Sequence, residues 1–271
     1  MNHQSSLFEV LHDEGDLLVV NKPADLVCHP TKDGPLSSLI GRVRLYLGHD
    51  EGRLVNRLDR ETSGIVLVAK TAAAAGELGK LVAGPATKTY WAIVEGHVPP
   101  GPLVISAPLG KDVESPVVIK DCVRPDGAAA ETCARVHQTF VRDAAPFSLL
   151  TVMPQSGRKH QIRIHLAHAG YPIVGDKLYG ADPLRYLRLV EGRLTDEDRR
   201  ALRMRCHALH ARAMSFTWRG RGWQFTAEPG EEFDAFVREG QDVRAFDNAF
   251  IEYSSASARS SSSSHDSPSR G

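Results

Sequence analysis

Apolar residues recur with two different periods along this chain. DLLVVN at 16–21 is a β-rich run that stops at Lys22-Pro23, where proline removes a ladder donor, and IVLVA at 65–69 has the same character. Between them, Leu36, Leu39, Ile40, Val43 and Leu47 follow helical spacing and predict one buried stripe over 36–47. Thr71, ahead of an alanine-rich run carrying Leu78, Leu81 and Val82, predicts a capped helix over 71–82. The middle of the chain, 88–153, is strand-like, with YWAIV, LVI, PVVI, TCARV and FSLLTVM separated by Pro, Gly and Asp turns. HQIRIHLAHAG then predicts a helix over 159–169 closed by Gly170, and Thr195 with Asp198 marks a helix start for 196–204. LHARAMSF returns to strand, and EEFDAFVRE after Pro229-Gly230 is a last helical segment.

Strands and helices mixed without regular alternation argue against a doubly wound sheet and for an α+β fold. At 271 residues and 42% hydrophobic content the chain can bury a sizeable core. It holds no apolar run of membrane-spanning length, and MNHQSSLFEV lacks the basic flank and apolar stretch of a signal peptide, so no membrane partner and a cytoplasmic location are expected. From position 254 the sequence SSASARSSSSSHDSPSRG is too poor in apolar residues to pack; 254–271 is expected to be a disordered tail and 1–253 the folded unit. Cys28, Cys122, Cys133 and Cys206 are widely spaced, which signals neither a disulfide framework nor a zinc site.

Charge changes the picture only when read locally. Basic and acidic residues balance at 33 each, yet residues 184–221 hold ten arginines against four acids, a sum of +6. Residues 222–253 hold eight acids against two arginines, a sum of −6. An all-arginine basic segment suits phosphate forks and base stacking, and favours RNA over a merely solvated helix face.

The chemistry concentrates in three polar blocks: LVNRLDRETSGIVLVAK (54–70), KTYWAIVEG (88–96) and PQSGRKHQIRIHLAHAGYPIVGDKLYG (154–180). Asp59 between Arg57 and Arg60 stays ionised near neutral pH; alone, it fits either a surface ion-pair turn or a site for an anionic ligand. Together and in this order the blocks resemble the RluA-type family of RNA pseudouridine synthases, with its His-Arg-Leu-Asp-x-x-Thr-Ser-Gly loop, Lys-x-Tyr-x-Ala-x-Val stretch and Gly-Arg-x-His-Gln-Ile-Arg block, over about residues 8 to 218.

That resemblance implies a pseudouridine synthase fold, in which a central mixed, largely antiparallel sheet is flanked by helices and crossed by an active-site cleft. Residues 1–253 would form its catalytic domain. It also implies isomerisation of specific uridines in structured ribosomal or transfer RNA, with no cofactor and no metal, by a protein expected to be a monomer. The family's catalytic carboxylate maps onto Asp59, its cationic partner onto Arg163, and its uracil-stacking ring onto Tyr90. Arg57 resembles the arginine that takes the space of an everted base. Asn56, Arg60, Arg158, His160 and Leu166 are the remaining candidates for substrate contact. Strand alternation puts Tyr90 and Trp91 on opposite faces, so one of them at most looks into the cleft. Asn56 stands where the family has His and cannot carry charge, so it is read as structural or RNA-contacting. Ser156 stands for a common Thr. Two alternatives belong to other classes. One is a non-catalytic RNA-binding or RNA-folding protein with a vestigial site. The other is a retaining glycosidase, which needs a second carboxylate across the bond where Glu61 is merely adjacent.

Overall fold

The computed structural model describes residues 8–30 and 34–245; the expected tail lies outside them. The N-terminal part contains β1 (Glu9–Glu14), β2 (Leu17–Lys22), α1 (Leu39–Leu47), β3 (Arg53–Leu54), β4 (Ser63–Ala69) and α2 (Ala72–Ala83). The strand-rich middle follows with β5 (Thr87–Glu95), β6 (Pro102–Ser106), β7 (Leu109–Lys111), β8 (Asp121–Val123), β9 (Glu131–Arg142) and β10 (Ala145–Pro154). Then come α3 (Gln161–His168), α4 (Arg185–Val190), α5 (Asp196–Leu202), β11 (Leu209–Trp218), β12 (Arg221–Thr226), α6 (Glu231–Arg238) and β13 (Gln241–Ala245).

One large sheet runs β1-β2-β4-β11-β5-β10-β9-β13, with β3, β6 and β12 attached to β4, β9 and β11; β7 and β8 form a separate hairpin. Neighbouring strands are antiparallel except β4 and β11, which meet in parallel at Ser63↔His210 and Gly64↔Ala211. The fold is therefore α+β with a mixed, largely antiparallel sheet. The continuous apolar runs of β2 and β4 follow from burial of both faces. Leu17, Val19, Ile65 and Leu67 pack with Leu78 of α2, while Leu18, Val20, Val66 and Val68 pack with Leu39 and Val43 of α1. A third cluster joins β5, β9 and β10 to Leu166 of α3 and to Phe233 and Phe236 of α6.

Several elements differ from expectation. The helix expected over 36–47 starts at Leu39, because Pro35–Ser37 form a separate 3-10 turn and the Ser38 side chain accepts the Gly41 N–H as N-cap. PVVI is a turn: Val117 is buried, but Lys120 N–H bonds back to Val117 O and leaves Val118 and Ile119 exposed. The helix expected over 159–169 begins only at Gln161, since His160 has φ 54°. The helix expected over 196–204 stops at Leu202, where Arg203 turns left-handed, although its Thr195–Asp198 capping box is present. Strands β1, β12 and β13 and helix α4 carry too many polar residues, or are too short, to stand out by period. Leu166, expected at the substrate, is fully buried and belongs to the core.

Candidate active site

The Asp59 loop is a polar connection between β3 and β4, and its shape is imposed from outside. Asn56 sets its start: the side-chain amide donates to Ile65 O at 3.1 Å and accepts from Leu67 N at 2.8 Å. These two bonds give Asn56 a structural role. The Cys28 thiol then sits against both backbone groups of Leu58, at 3.3 Å from O and 3.4 Å from N. Lys22, fully buried, donates to the carbonyls of Pro23, Leu26 and Arg60 and so ties the β2 exit to the loop. Desolvation holds its pKa down at about 8, against the pull of nearby acidic groups.

The far side of the loop is fixed by the residues leading into β11. Glu61 accepts from Lys177 Nζ at 2.8 Å and from His207 N at 3.0 Å. Thr62 Oγ1 lies 2.7 Å from His207 Nε2, and Ser63 Oγ 2.9 Å from His210 Nδ1. These contacts need close backbones. A Cβ on Gly64, at φ 112°, would come within 2.4 Å of Ala211 O, and one on Gly175, at φ 79°, within 2.6 Å of Cys206 O. Gly64, at the start of β4, is thus required by the parallel β4–β11 contact.

Arg163 enters from α3. Its Nη1 donates to Asp59 Oδ2 at 2.8 Å, while Nε and Nη2 fork onto Asp176 at 2.7 and 2.9 Å. The guanidinium also lies over the Tyr179 ring, 5.0 Å from its centroid. Asp176 is buried and accepts two further bonds, from Leu178 N and Tyr179 N. Burial would raise its pKa, but Arg163 outweighs burial and holds the carboxyl well below the usual range. At Asp59 the balance is similar. Burial, the largest single effect, raises its pKa; the Arg163 charge and hydrogen bond, with contributions from His160 and His207, together lower it more, and the carboxyl ends below its ordinary value while its side chain stays 31% exposed. The outcome is an ionised, oriented and reachable carboxylate.

His160 and two tyrosines complete the surroundings. His160 Nε2 is 3.8 Å from Asp59 and Nδ1 is 2.9 Å from Tyr179 Oη. Burial, only partly offset by Asp59, lowers its pKa to about 4, so it faces the carboxylate as neutral imidazole. Tyr90 pairs with Ala211 and Val152 across β11 and β10. Burial and then the Asp59 charge push its pKa up to about 12, which keeps it a phenol. Its neighbour Trp91 lies under Arg212, 4.7 Å from centroid to guanidinium, and tilts against His137.

The structure therefore brings Asp59, Arg163 and His160 together and places Tyr90 within reach of the Asp59 charge. Arg57 is exposed; Arg60 is exposed and bonded to Asp25; Arg158 is exposed and donates to Ala129 O at 3.2 Å. Sequence reasoning missed Asp176, Tyr179, Lys177 and His207 and treated Glu61 as a bystander. The signal for the first two was present in GDKLYG, where an acid follows a turn glycine and an aromatic stands three residues on. The arginine-rich segment is not a free basic stripe. Eight of its ten arginines pair with carboxylates: Arg185 and Arg188 with Asp198, Arg193 with Glu191, Arg203 with Asp143, Arg205 with Asp25, Arg212 with Glu228, Arg219 with Glu77 and Arg221 with Glu14.

The fold is shared with solved human proteins. RNA Pseudouridylate Synthase Domain Containing 1 superposes with a TM-score of 0.71 at 24% identity, covering 92% of this chain and 94% of that one. Domain Containing 4 gives 0.63 at 24% identity, covering 85% and 92%. In sequence, an uncharacterized RNA pseudouridine synthase of Chloroflexus aurantiacus is 40% identical over 167 residues, 59% of this chain and 51% of the relative. The ribosomal large subunit pseudouridine synthase D of Salmonella typhimurium is 32% identical over 180 residues, 65% of this chain and 53% of the relative. The chain thus spans about half the length of these curated relatives. The family model for RNA pseudouridylate synthase matches residues 16–168, more than half of the chain and inclusive of Asp59, Tyr90 and Arg163; the chain belongs to the RNA pseudouridylate synthase family.

Proposed function

We propose that this protein isomerises uridine to pseudouridine in structured RNA, with Asp59 as the catalytic residue. The observation that carries the reading is the shared guanidinium of Arg163, which keeps a partly exposed Asp59 ionised beside a neutral histidine and a protonated tyrosine. The reaction breaks the bond between N1 and the sugar carbon, turns the uracil, and joins C5 to that same carbon; C5 gives up its proton and N1 takes one up, so the product is an isomer of the substrate. A single carboxylate serves this either as nucleophile on the sugar carbon or as stabiliser of an oxocarbenium-like state and base for a sugar proton. Tyr90 would stack on the uracil with its hydroxyl near C5, and Arg57, exposed on the loop, would occupy the space left by the everted nucleotide. Arg60, Arg158 and His160 are the further substrate contacts of this reading, and ribosomal or transfer RNA the substrate class. The reaction needs no metal or organic cofactor.

Bulk RNA carrying tritium at uridine C5 tests the proposal. Wild-type protein is expected to release tritium as C5 loses its proton, with new pseudouridines appearing at discrete positions. No release from RNA that the protein binds would leave an RNA-binding protein with a vestigial site.

A further inference from the structure

Asp25 holds a left-handed backbone, φ 64°, which aspartate, like asparagine, tolerates better than most residues, and its carboxylate joins two distant segments. Oδ1 accepts from Arg60 Nε at 2.7 Å and Oδ2 from Arg205 Nη1 at 2.8 Å. The backbones behind these arginines are anchored. Arg60 O accepts from buried Lys22, Arg205 O from buried Lys177, and Arg205 N donates to Glu232. The guanidinium heads, by contrast, lie on the surface, with side chains 65% and 67% exposed. Two cations on anchored backbones thus converge on one small anion, and Arg60 follows Asp59 directly in the chain.

We propose that Arg60 and Arg205 form a seat for one backbone phosphate of the RNA, and that Asp25 occupies this seat in the free protein. The Asp25 carboxylate stands in for two phosphate oxygens, each taken by a separate guanidinium. An exposed ion pair of this kind is weak, whereas a phosphodiester brings the same two acceptors together with counterion release along the strand. Its arrival displaces Asp25, and the displaced carboxylate then repels the neighbouring phosphates. Asp25 therefore weakens RNA binding and thins the contribution of the two arginines, while keeping them aligned when no RNA is present. This inference rests on the reading of the protein as RNA-binding and locates one contact beside its site.

Asp25→Asn tests it, because asparagine tolerates the left-handed turn and removes only the charge. Binding of a fluorescein-labelled RNA stem-loop is expected to tighten by about three- to tenfold at low salt, and the slope of log affinity against log salt to steepen by about one. Adding Arg60→Ala or Arg205→Ala is expected to abolish the gain, with thermal melts confirming that each variant is folded. Unchanged or weaker binding by Asp25→Asn overturns the proposal, as does a gain that survives both alanine substitutions, which would reflect overall charge alone. Tritium release by wild type separates the two readings: turnover with an indifferent Asp25→Asn variant removes the phosphate seat alone, and wild type that neither binds nor turns over RNA removes both.

Discussion

Arg163 divides one guanidinium between two carboxylates, and that division sets what each substitution at the site does. Asp59→Asn keeps the hydrogen-bond geometry and removes the reactive oxygen anion. Isomerisation is expected to disappear while RNA affinity stays within about tenfold, since phosphate contacts supply most of the binding. Turnover by this variant comparable to wild type would remove Asp59 from the mechanism. Arg163→Lys keeps a charge but cannot fork onto Asp176 and reach Asp59 together, so turnover is expected to fall about a hundredfold. Arg163→Met is worse in a second way. Asp176 is buried and would face no cation, which costs about 3–5 kcal/mol of stability. Urea unfolding checks this directly, and an Arg163→Met protein of wild-type stability would contradict the assignment. The pH dependence has a definite sign. The depressed Asp59 pKa keeps the carboxylate ionised throughout the range in which the protein stays folded, so the acid limb of wild-type activity is expected to follow unfolding, and Arg163→Lys is expected to raise the Asp59 pKa and move the limb upward.

At the scale of elements, the loop that carries Asp59 is held by strands on both of its sides. Glu61 with Lys177 fastens it to the segment after α3, and Thr62 with His207 and Ser63 with His210 fasten it to the approach and start of β11. Lys177→Met is expected to leave a largely buried Glu61 carboxylate without its cation, costing about 3 kcal/mol, and to lower kcat more than it raises KM because the loop no longer holds Asp59 against Arg163. Lys177→Arg should recover part of this; equal loss in both variants would mean that packing rather than charge is the issue. This clamp also marks the limit of what the sequence discloses. The runs of β2, β4 and α2 were legible because their period is strong and their caps are local, and Asp59, Tyr90 and Arg163 because they sit in long ordered motifs. Lys177 and His207 were not, since they meet Glu61 and Thr62 only across a tertiary contact that no local pattern encodes, and Asp176 left no more than the local trace in GDKLYG because its partner Arg163 comes from α3. The arginines of 184–221 misled for the same reason. Their carboxylate partners come in large part from positions such as Asp16, Asp25, Glu77 and Asp143, which charge counting in a window never sees.

Across the whole molecule, buried histidines couple the active-site region to global stability. Burial, as the leading cause, lowers the pKa of His207 to about 3 and those of His210 and His160 to about 4, while in the unfolded chain each returns to about 6.5. Below that unfolded value the unfolded chain binds protons that the folded protein refuses, so stability is fully present above about pH 6.5 and is lost as pH falls towards 4. The carboxylates work in the same direction at lower pH. Asp59 and Asp176 hold folded pKa values below the ordinary range, so their contribution drains away only as pH drops through the range of unfolded carboxylates and below. Acid unfolding should therefore begin well above pH 4, set by histidines, and steepen as the carboxylates join. His210→Asn removes one titrating group that bridges Ser63 and Ala227. Its melting temperature is expected to be lower than wild type at neutral pH, yet to decline less steeply between about pH 6.5 and about pH 4.5. Thermal melts of both proteins across that range decide the matter: a wild-type melting temperature that stays level there would show that these histidines are protonated in the folded state, and an unchanged slope in His210→Asn would exclude that residue as a source of the acid sensitivity.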